Sequence, residues 1–366
     1  MKKQIETTGL LAMCMLVMSA CSNTEEVAGE NSDKLVELQI APSIIQARAV
    51  SATGAITGTS FAENSSIAVY ANSTKTNNTS NNFAIYTYGG SGWSSGEDKI
   101  YLSSEDATIY ANYPSTVTAT YSSAVTDQST IEVSTFEGGV SDGSNTITIE
   151  NSSTTAINAC SGEIDYMYAK LSSSINNQST EVAIPMKHAM SMVSFRVYKA
   201  DTYNNNGYLT QITLGNVSST VLAKPGASDK ATMKLGNGEI TISNPAAATY
   251  TRVIKEGNAE YYTLKAAPAD ATETSPAFSI LVYPINAAIA ADNIKATFRI
   301  DGQDYAVNLP AMNATDNYSW TAGKNHIYKV TLGGKELTIT SVSITEWDST
   351  GTLIDGGDLT PVVPAP

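Results

Sequence analysis

The sequence predicts an all-β protein made of two antiparallel β-sandwich domains in tandem. Apolar residues alternate with polar ones in short runs that are rich in β-branched and aromatic residues. Clusters of Ser, Asn and Gly separate these runs, as turns do in sandwiches. The chain has 366 residues, more than the roughly 250–300 at which a single core stops growing. Two domains are therefore expected.

The composition indicates a folded, polar and acidic protein. Hydrophobic residues make up 42% of the chain and charged residues 15%, below the charge content that keeps a chain disordered. There are 21 basic and 35 acidic side chains, for a formal net charge of −14. A chain without a basic cluster lacks what the phosphate backbone requires, so nucleic acid is not an expected partner.

Residues 1–20 have the features of a secretory signal peptide. Lys2 and Lys3 precede an apolar run over residues 10–18, which ends in Ser19 and Ala20. The run is about half the roughly 20 residues that a membrane-spanning helix needs. No later segment comes closer to that length, so we expect no transmembrane span.

The segment 18–21, Met-Ser-Ala-Cys, resembles a bacterial lipobox. In such a sequence the cysteine thiol, here that of Cys21, is acylated and becomes the new N-terminus. Two or more acyl chains would anchor the protein stably in a membrane. The alternative is ordinary signal cleavage beside an incidental cysteine. The polar stretch 22–33 is then a tether, and residues 21–48 form a lipidated propeptide.

The first strand after the tether has one apolar face. Val36, Leu38 and Ile40 alternate with Glu37 and Gln39, which is the pattern of a strand buried on one side. The small-residue stretch that follows contains Arg48 and Ala49, a bond that a trypsin-like protease could cut if it is exposed.

The polar stretch 201–207 is the expected domain boundary, which gives an N-terminal domain of residues 49–200 and a C-terminal domain of residues 201–366. The turn residues are clearest in the second domain, where Asn237-Gly238, Asp301-Gly302 and Gly333-Gly334 each separate two alternating runs. Such pairs supply the positive φ angles of two-residue hairpin turns. Three hairpins are therefore expected there.

A search for catalytic or metal-binding residues gives little. The two histidines, His188 and His326, fall in different predicted domains, and Cys160 has no base beside it in the sequence. Ser141 lies in a Gly-x-Ser-x-Gly pentapeptide, but the helix that a nucleophile elbow needs does not follow it. The sequence leaves open a pair of catalytic carboxylates that are distant along the chain and adjacent in the fold. We expect no metal and no cofactor.

The order of lipobox, acidic tether, early strand and Arg48-Ala49 resembles that of the fimbrillins, the type V pilins on the surface of some Gram-negative bacteria. Segments 188–195 and 320–330, followed by 344–347, are similar to segments near the middle and C-terminus of that family. The resemblance covers nearly the whole chain. It implies two transthyretin-like sandwich domains in an outer-membrane lipoprotein precursor.

The resemblance also implies how such a protein assembles. A protease cuts after an arginine, here Arg48, and the early strand with Val36, Leu38 and Ile40 leaves as a plug. A strand from another fimbrial subunit then fills the groove, which gives homo- or heteropolymers that support adhesion and biofilm formation. The protein would not be an enzyme, and it could carry a host or bacterial surface ligand.

The donor strand is less well defined by the sequence. The best candidate is the run that contains Leu337, Ile339, Val342 and Ile344, although its apolar phase switches and predicts a bulge. The final tail contains prolines, which cannot donate to a ladder. Three alternatives remain: a tip or accessory subunit, a glycan-binding lipoprotein with an exposed aromatic platform, or a hydrolase that uses Ser141.

Overall fold

The computed structural model describes 14 stretches of the chain: residues 34–44, 50–51, 54–55, 61–72, 82–115, 125–136, 144–149, 157–179, 181–269, 273–287, 289–290, 293–310, 319–334 and 336–346. These stretches form strands and turns without a helix. Within them, no helix is long and apolar enough to span a membrane.

The strands before residue 190 are short and many are amphipathic. They are β1 (Val36–Glu37), β2 (Ile40–Ile44), β3 (Val50–Ser51), β4 (Gly54–Ala55), β5 (Ser66–Asn72), β6 (Phe83–Tyr88), β7 (Trp93–Ser94), β8 (Tyr101–Leu102), β9 (Thr108–Tyr113), β10 (Thr130–Val133), β11 (Ser144–Ile149), β12 (Ile157–Ala159), β13 (Met167–Leu171) and β14 (Val182–His188).

The strands after residue 190 include the longest in the protein. They are β15 (Ser191–Lys199), β16 (Tyr208–Asn216), β17 (Ala223–Pro225), β18 (Ala231–Lys234), β19 (Ile240–Ile242), β20 (Pro245–Ala247), β21 (Thr249–Glu256), β22 (Tyr262–Thr263), β23 (Lys265–Ala266), β24 (Ala277–Val282), β25 (Ile294–Ile300), β26 (Gln303–Asn308), β27 (Lys324–Leu332) and β28 (Leu337–Glu346).

The N-terminal sandwich is built on a seven-stranded sheet with the order β2-β14-β13-β9-β5-β6-β7. In the small sheet formed by β1 and β8, Leu102 of β8 belongs to the same core. Ile67, Val69, Ile109 and Met167 are fully buried there. Because successive side chains of a strand point to opposite faces, every second residue of these strands enters the core.

The C-terminal sandwich consists of two six-stranded sheets with one core between them. One sheet has the order β11-β21-β16-β25-β26, with β22 beside β16, and the other β12-β24-β15-β27-β28, with β23 beside β15. The rings of Phe195, Phe298 and Tyr328 pack together in this core. The Trp320 indole donates a hydrogen bond of 3.0 Å to the Tyr328 hydroxyl, so both buried polar atoms are satisfied.

A third apolar cluster joins the two sandwiches. It collects Tyr70 and Tyr110 from the N-terminal sheet, Met192 and Leu281 from the C-terminal sheet, and Met233 from the three-stranded sheet β10-β18-β19. The junction is therefore apolar and buried, like a domain core.

The all-β sandwich fold predicted from the sequence is confirmed. The sheets are mixed, since β14–β2, β11–β21, β12–β24, β15–β23 and β15–β27 pair in parallel while the other described pairs are antiparallel.

The sheets do not divide at residue 200, where the domain boundary was expected. Strand β15 pairs with β24 and β27 of the C-terminal sandwich. Strands β10, β11 and β12 also pair with strands that follow residue 230. By strand pairing, the seven-stranded sheet ends at His188, and strands of the C-terminal sandwich lie both before it, in β11 and β12, and after it, from Ser191 onward.

All three predicted hairpins are present, but only one of them has the predicted two-residue turn. Asp301 and Gly302 have φ angles of 50° and 77° and form a two-residue turn between β25 and β26. The other two hairpins, β18–β19 and β27–β28, have longer turns. The predicted bulge is present in β28, where Thr340 is the extra residue between the pairs Ile339–Val330 and Ser341–Lys329.

Candidate strand-exchange site

The N-terminal segment 34–44 bridges the two layers of the N-terminal sandwich. Strand β1 runs antiparallel to β8, and β2 runs parallel to β14. Between them, the Leu38 N–H donates to the carbonyl oxygen of Ile100 at 2.8 Å, and the Val182 N–H donates to the carbonyl oxygen of Gln39 at 2.9 Å. The segment thus changes sheets between residues 38 and 39.

Three aliphatic side chains of this segment lie in the N-terminal core. Leu38, Ile40 and Ile44 are 0%, 5% and 7% exposed and belong to the same cluster as Ile184 and Met186 of β14. Ile40 and Ile44 enter because alternate residues of β2 face the sheet interior, and Leu38 lies two residues before Ile40 on the same face. Removing the segment would therefore uncover apolar surface in addition to an unpaired strand edge.

Polar contacts fix the segment at three points. The Tyr86 hydroxyl donates a buried bond of 2.9 Å to the Leu38 carbonyl oxygen. Burial, reinforced by nearby Glu37, raises the pKa of Tyr86, so the hydroxyl keeps its proton. Lys99 pairs with Glu37 at 2.7 Å, but both side chains are more than 30% exposed, so this ion pair adds little stability. The Asn177 amide donates to the Lys34 carbonyl oxygen at 2.8 Å.

Pro42 fits in β2 because of its phase in the ladder. Since Val182 donates to the Gln39 carbonyl oxygen, the alternation of a parallel ladder turns the amides of Ala41 and Ser43 toward β14. The nitrogen of Pro42 then points away from β14, on the outer side of the sheet edge. A proline is tolerated at such a position because no ladder bond is lost.

A buried histidine–aspartate contact anchors the far end of β14. The Nδ1 atom of His188 lies 2.7 Å from Asp165 Oδ2, and both side chains are fully buried. Burial raises the pKa of Asp165, and His188 acts in the opposite direction. His188 therefore lies in a buried structural contact at the end of β14, the strand that pairs with β2.

Cys160 and His326, which were also considered for catalysis, are buried in the fold. Burial, with a smaller contribution from Glu163, raises the pKa of Cys160 to about 12, so its thiol is no nucleophile. Burial, with Lys324, lowers the pKa of His326 to about 3. In the parts of the chain that the structure describes, no three His, Cys, Asp or Glu side chains are grouped as metal ligands would be.

The lipidation, cleavage and plug residues predicted from the sequence have different outcomes. Cys21, Arg48, Ala49 and Ser141 lie outside the described residues. Leu38 and Ile40 are buried together, whereas Val36 is half-buried.

The candidate donor residues lie elsewhere. Leu337, Ile339 and Val342 are buried in the core of the C-terminal sandwich, and Ile344 beside them in β28 is half-buried. Strand β28 pairs with β27 along its whole length. These residues therefore already belong to a sheet of their own chain.

Sequence reasoning missed two parts of this site. Ile44 lies four positions after Ile40 and so shares its face, but Pro42 between them hides the strand pattern. The receiving strand β14 has clear alternation, with Val182, Ile184 and Met186 buried, yet nothing local in the sequence shows that residues 40–44 pair with it.

Comparison with known proteins gives a family and a fold. The family model described as Fimbrillin-like matches residues 52–347. No curated protein matches the chain. A solved structure of a candidate cell adhesion protein from Bacteroides ovatus superposes with a TM-score of 0.53 at 15% identity and covers 86% of this chain and 98% of that one. This likeness supports the fold.

Two further solved structures are similar over most of their length. A fimbrial protein from Bacteroides vulgatus has 12% identity and a TM-score of 0.44, with 86% of this chain and 99% of that chain covered. The tip fimbrial protein Mfa3 from Porphyromonas gingivalis, with C-terminal truncation, has 11% identity and a TM-score of 0.41, with 86% and 100% covered.

The family match carries the assignment, because it spans most of the chain. Fimbrillin-like proteins are structural and non-enzymatic components of the cell surface that assemble with other fimbrial subunits. The chain belongs to the fimbrillin-like family and is a fimbrial subunit.

Proposed function

We propose that this subunit polymerises by strand exchange after proteolysis at Arg48. In the precursor, acylated Cys21 anchors the chain to the outer membrane and residues 34–44 plug the N-terminal sandwich. Cleavage releases the plug, and a strand of another subunit takes its place. The observation that carries this proposal is the position of β2, which is the terminal strand of its sheet and still fills the core with Ile40 and Ile44.

The energetics favour refilling the groove once it is empty. Leu38, Ile40 and Ile44 are nearly fully buried, and burying an aliphatic side chain contributes about 1.5–3 kcal/mol, or about 5–9 kcal/mol for three. Loss of the plug also leaves the edge of β14 unpaired. An exposed edge beside an apolar groove is the surface that accepts an added strand.

Strand β28 is costly to use as the donor. Leu337, Ile339 and Val342 are at most 9% exposed in their own sandwich. Transfer of this strand to another subunit would open that core, and cavities of this size cost several kcal/mol. A donor that lies outside the sandwich avoids this loss.

The sequence of the C-terminal tail suits it to be the donor. Its sequence Leu359-Thr-Pro-Val-Val363 matches Ile40-Ala-Pro-Ser-Ile44 in the spacing of its apolar ends and in the place of its proline. Pro361 would then take the position of Pro42, whose nitrogen faces away from β14. The prolines that made the tail a poor donor by general rules thus suit this particular groove.

Trypsin treatment of the purified precursor tests the proposal. We expect loss of the N-terminal peptide and a ladder of oligomers on a gel, both blocked by Arg48→Ala. Arg299→Ala, which removes an exposed arginine of the C-terminal sandwich, should leave the ladder unchanged. Cleavage at Arg48 that yields only monomers would contradict polymerisation and favour a tip or accessory subunit.

The donor is tested by three tail variants. Leu359→Ser and Val363→Ser should abolish the ladder, because both residues align with buried positions of β2. Val362→Ser should polymerise normally, because Val362 aligns with exposed Ser43. Normal ladders from Leu359→Ser and Val363→Ser would show that another strand, such as β28, is the donor. Loss of biofilm formation by the same variants in cells would link polymerisation to adhesion.

A further inference from the structure

A polar cleft opens on the C-terminal sandwich at the turn between β25 and β26. Its volume is about 650 Å³. It is bordered by Asn204, Asn205, Asn206, Tyr208, Tyr261 and Asp301. We propose that this cleft is a binding site for neutral saccharides, separate from the strand-exchange groove.

One wall of the cleft is a pair of tyrosines held by strand pairing. The rings of Tyr208 and Tyr261 stack with centroids 4.1 Å apart and planes at 29°. Tyr208 begins β16 and pairs with Thr263 of β22, the strand that directly follows Tyr261. Both tyrosines are half-exposed. The wall is therefore preformed, so a ligand would lose little affinity to ordering it.

The base of the cleft is fixed by the Asp301 carboxylate. Asp301 Oδ2 accepts bonds from the Tyr203 hydroxyl at 2.7 Å and the Gly207 N–H at 2.8 Å, and Oδ1 accepts from the Tyr208 N–H at 3.0 Å. One carboxylate thus holds the loop that carries the three asparagines against the tyrosine wall. Asp301 acts as a positioning residue.

The chemistry of the lining selects the class of ligand. Three exposed asparagines offer amide groups that both donate and accept, which matches the hydroxyls of a sugar. The tyrosine rings offer apolar faces against which the C–H face of a pyranose can pack. None of the lining residues is basic, and the nearby Lys199 ammonium donates to the Asn206 carbonyl oxygen at 3.2 Å. The Asp301 charge disfavours an anionic ligand.

The site does not depend on strand exchange. Its residues all follow residue 203, whereas the N-terminal segment pairs with strands of the N-terminal sandwich. Binding should therefore be equal in the precursor and in the protein cleaved at Arg48. A failure of polymerisation and a failure of saccharide binding can thus be observed separately.

The test is calorimetric titration of the full-length precursor with lactose, maltotriose, chitotriose and sialyllactose. We expect binding of at least one neutral saccharide, and weaker binding of sialyllactose than of lactose. Tyr208→Ala and Tyr261→Ala should each lower affinity by about tenfold, the loss of one aromatic contact. Tyr261→Phe keeps the ring and should bind within about threefold of the unmodified protein.

Circular dichroism of each variant shows whether it is folded. Asn204→Ala, a change at an exposed loop position, provides a second test of saccharide binding at little risk to the fold. No binding of any neutral saccharide at about 10 mM would overturn the proposal. So would sialyllactose binding at least as tightly as lactose, or alanine variants that are folded and bind normally.

Discussion

The Val182 N–H donates to the carbonyl oxygen of Gln39 at 2.9 Å, and from this bond onward residues 40–44 run as an edge strand parallel to β14. This bond joins the N-terminal segment to a sheet whose other strands follow Phe61. The segment completes the core, and its strand β2 pairs with one neighbour only, β14. Its stability in the precursor should therefore depend on a few identifiable contacts.

Leu38→Ala should weaken the precursor without affecting the cleaved protein. Leu38 is fully buried, so truncation should lower the free energy of unfolding by about 2–5 kcal/mol. Urea denaturation of the precursor measures this change. Leu35 is 42% exposed, and Leu35→Ala should change the free energy of unfolding by less than about 0.5 kcal/mol. Equal effects of the two variants would show that Leu38 does not pack as described.

Tyr86→Phe should loosen the plug through one hydrogen bond. The change leaves the Leu38 carbonyl oxygen without the bond it now accepts from the Tyr86 hydroxyl. A buried acceptor left unsatisfied costs about 1–3 kcal/mol. We expect faster trypsin cleavage at Arg48 in this variant. Tyr88→Phe serves as the control, because the Tyr88 hydroxyl donates to the exposed carbonyl oxygen of Gly90. Cleavage of both variants at the rate of the unmodified protein would argue against the contact between Tyr86 and Leu38.

His326 should make the protein less stable in acid. Burial, with Lys324, lowers its pKa to about 3 in the folded state, whereas the ordinary value is about 6.5. Below pH 6.5 the unfolded chain binds a proton at His326 more readily than the folded protein does. The contribution of His326 to the free energy of unfolding is therefore complete above about pH 6.5 and is lost as the pH falls toward 3. At pH 5 the loss due to this residue should be about 2 kcal/mol.

His326→Phe isolates that contribution. Both ring nitrogens of His326 are buried without a hydrogen-bond partner in the described structure, so an apolar ring should cost little at pH 7.5. Urea denaturation at pH 7.5 and pH 5 should show a smaller pH effect in the variant. The same pH dependence with and without His326 would be the contrary result.

Gly238→Ala should be more damaging than Gly302→Ala. The two glycines have similar φ angles of 71° and 77°, so the backbone strain of an alanine, about 1–2 kcal/mol, is common to both. A Cβ at Gly238 would strike the Tyr168 ring, whereas one at Gly302 meets open space. Overpacking should add about 1–3 kcal/mol at Gly238. Thermal denaturation compares the two variants, and equal losses would contradict the contact with Tyr168.

Local chemistry explains what could be predicted. Asp301-Gly302 forms a two-residue turn because its residues adopt positive φ, and the alternation around Leu38 and Ile40 marks a strand with one buried face. Thr340 likewise bulges where the apolar phase of β28 switches. Each of these features depends on a pattern that lies within about ten residues of sequence.

Partner choice over long distances could not be predicted. Strand β15 lies parallel to β27, more than a hundred residues later, and this pairing places β15 in the C-terminal sandwich. The saccharide cleft depends on a bond between Tyr208 and Asp301, which are 93 positions apart. In both cases the fold, and not the local pattern, brings the residues together.

Hydrogen–deuterium exchange of β14 tests the central claim most directly. The amides of Val182, Ile184 and Met186, which face β2 in the parallel ladder, should be protected in the precursor, exchange rapidly in trypsin-cleaved monomer, and become protected again in the polymer. This sequence of changes would show that one strand leaves the groove and another enters. Unchanged protection after cleavage, or polymers that still contain the released peptide, would contradict strand exchange at this site.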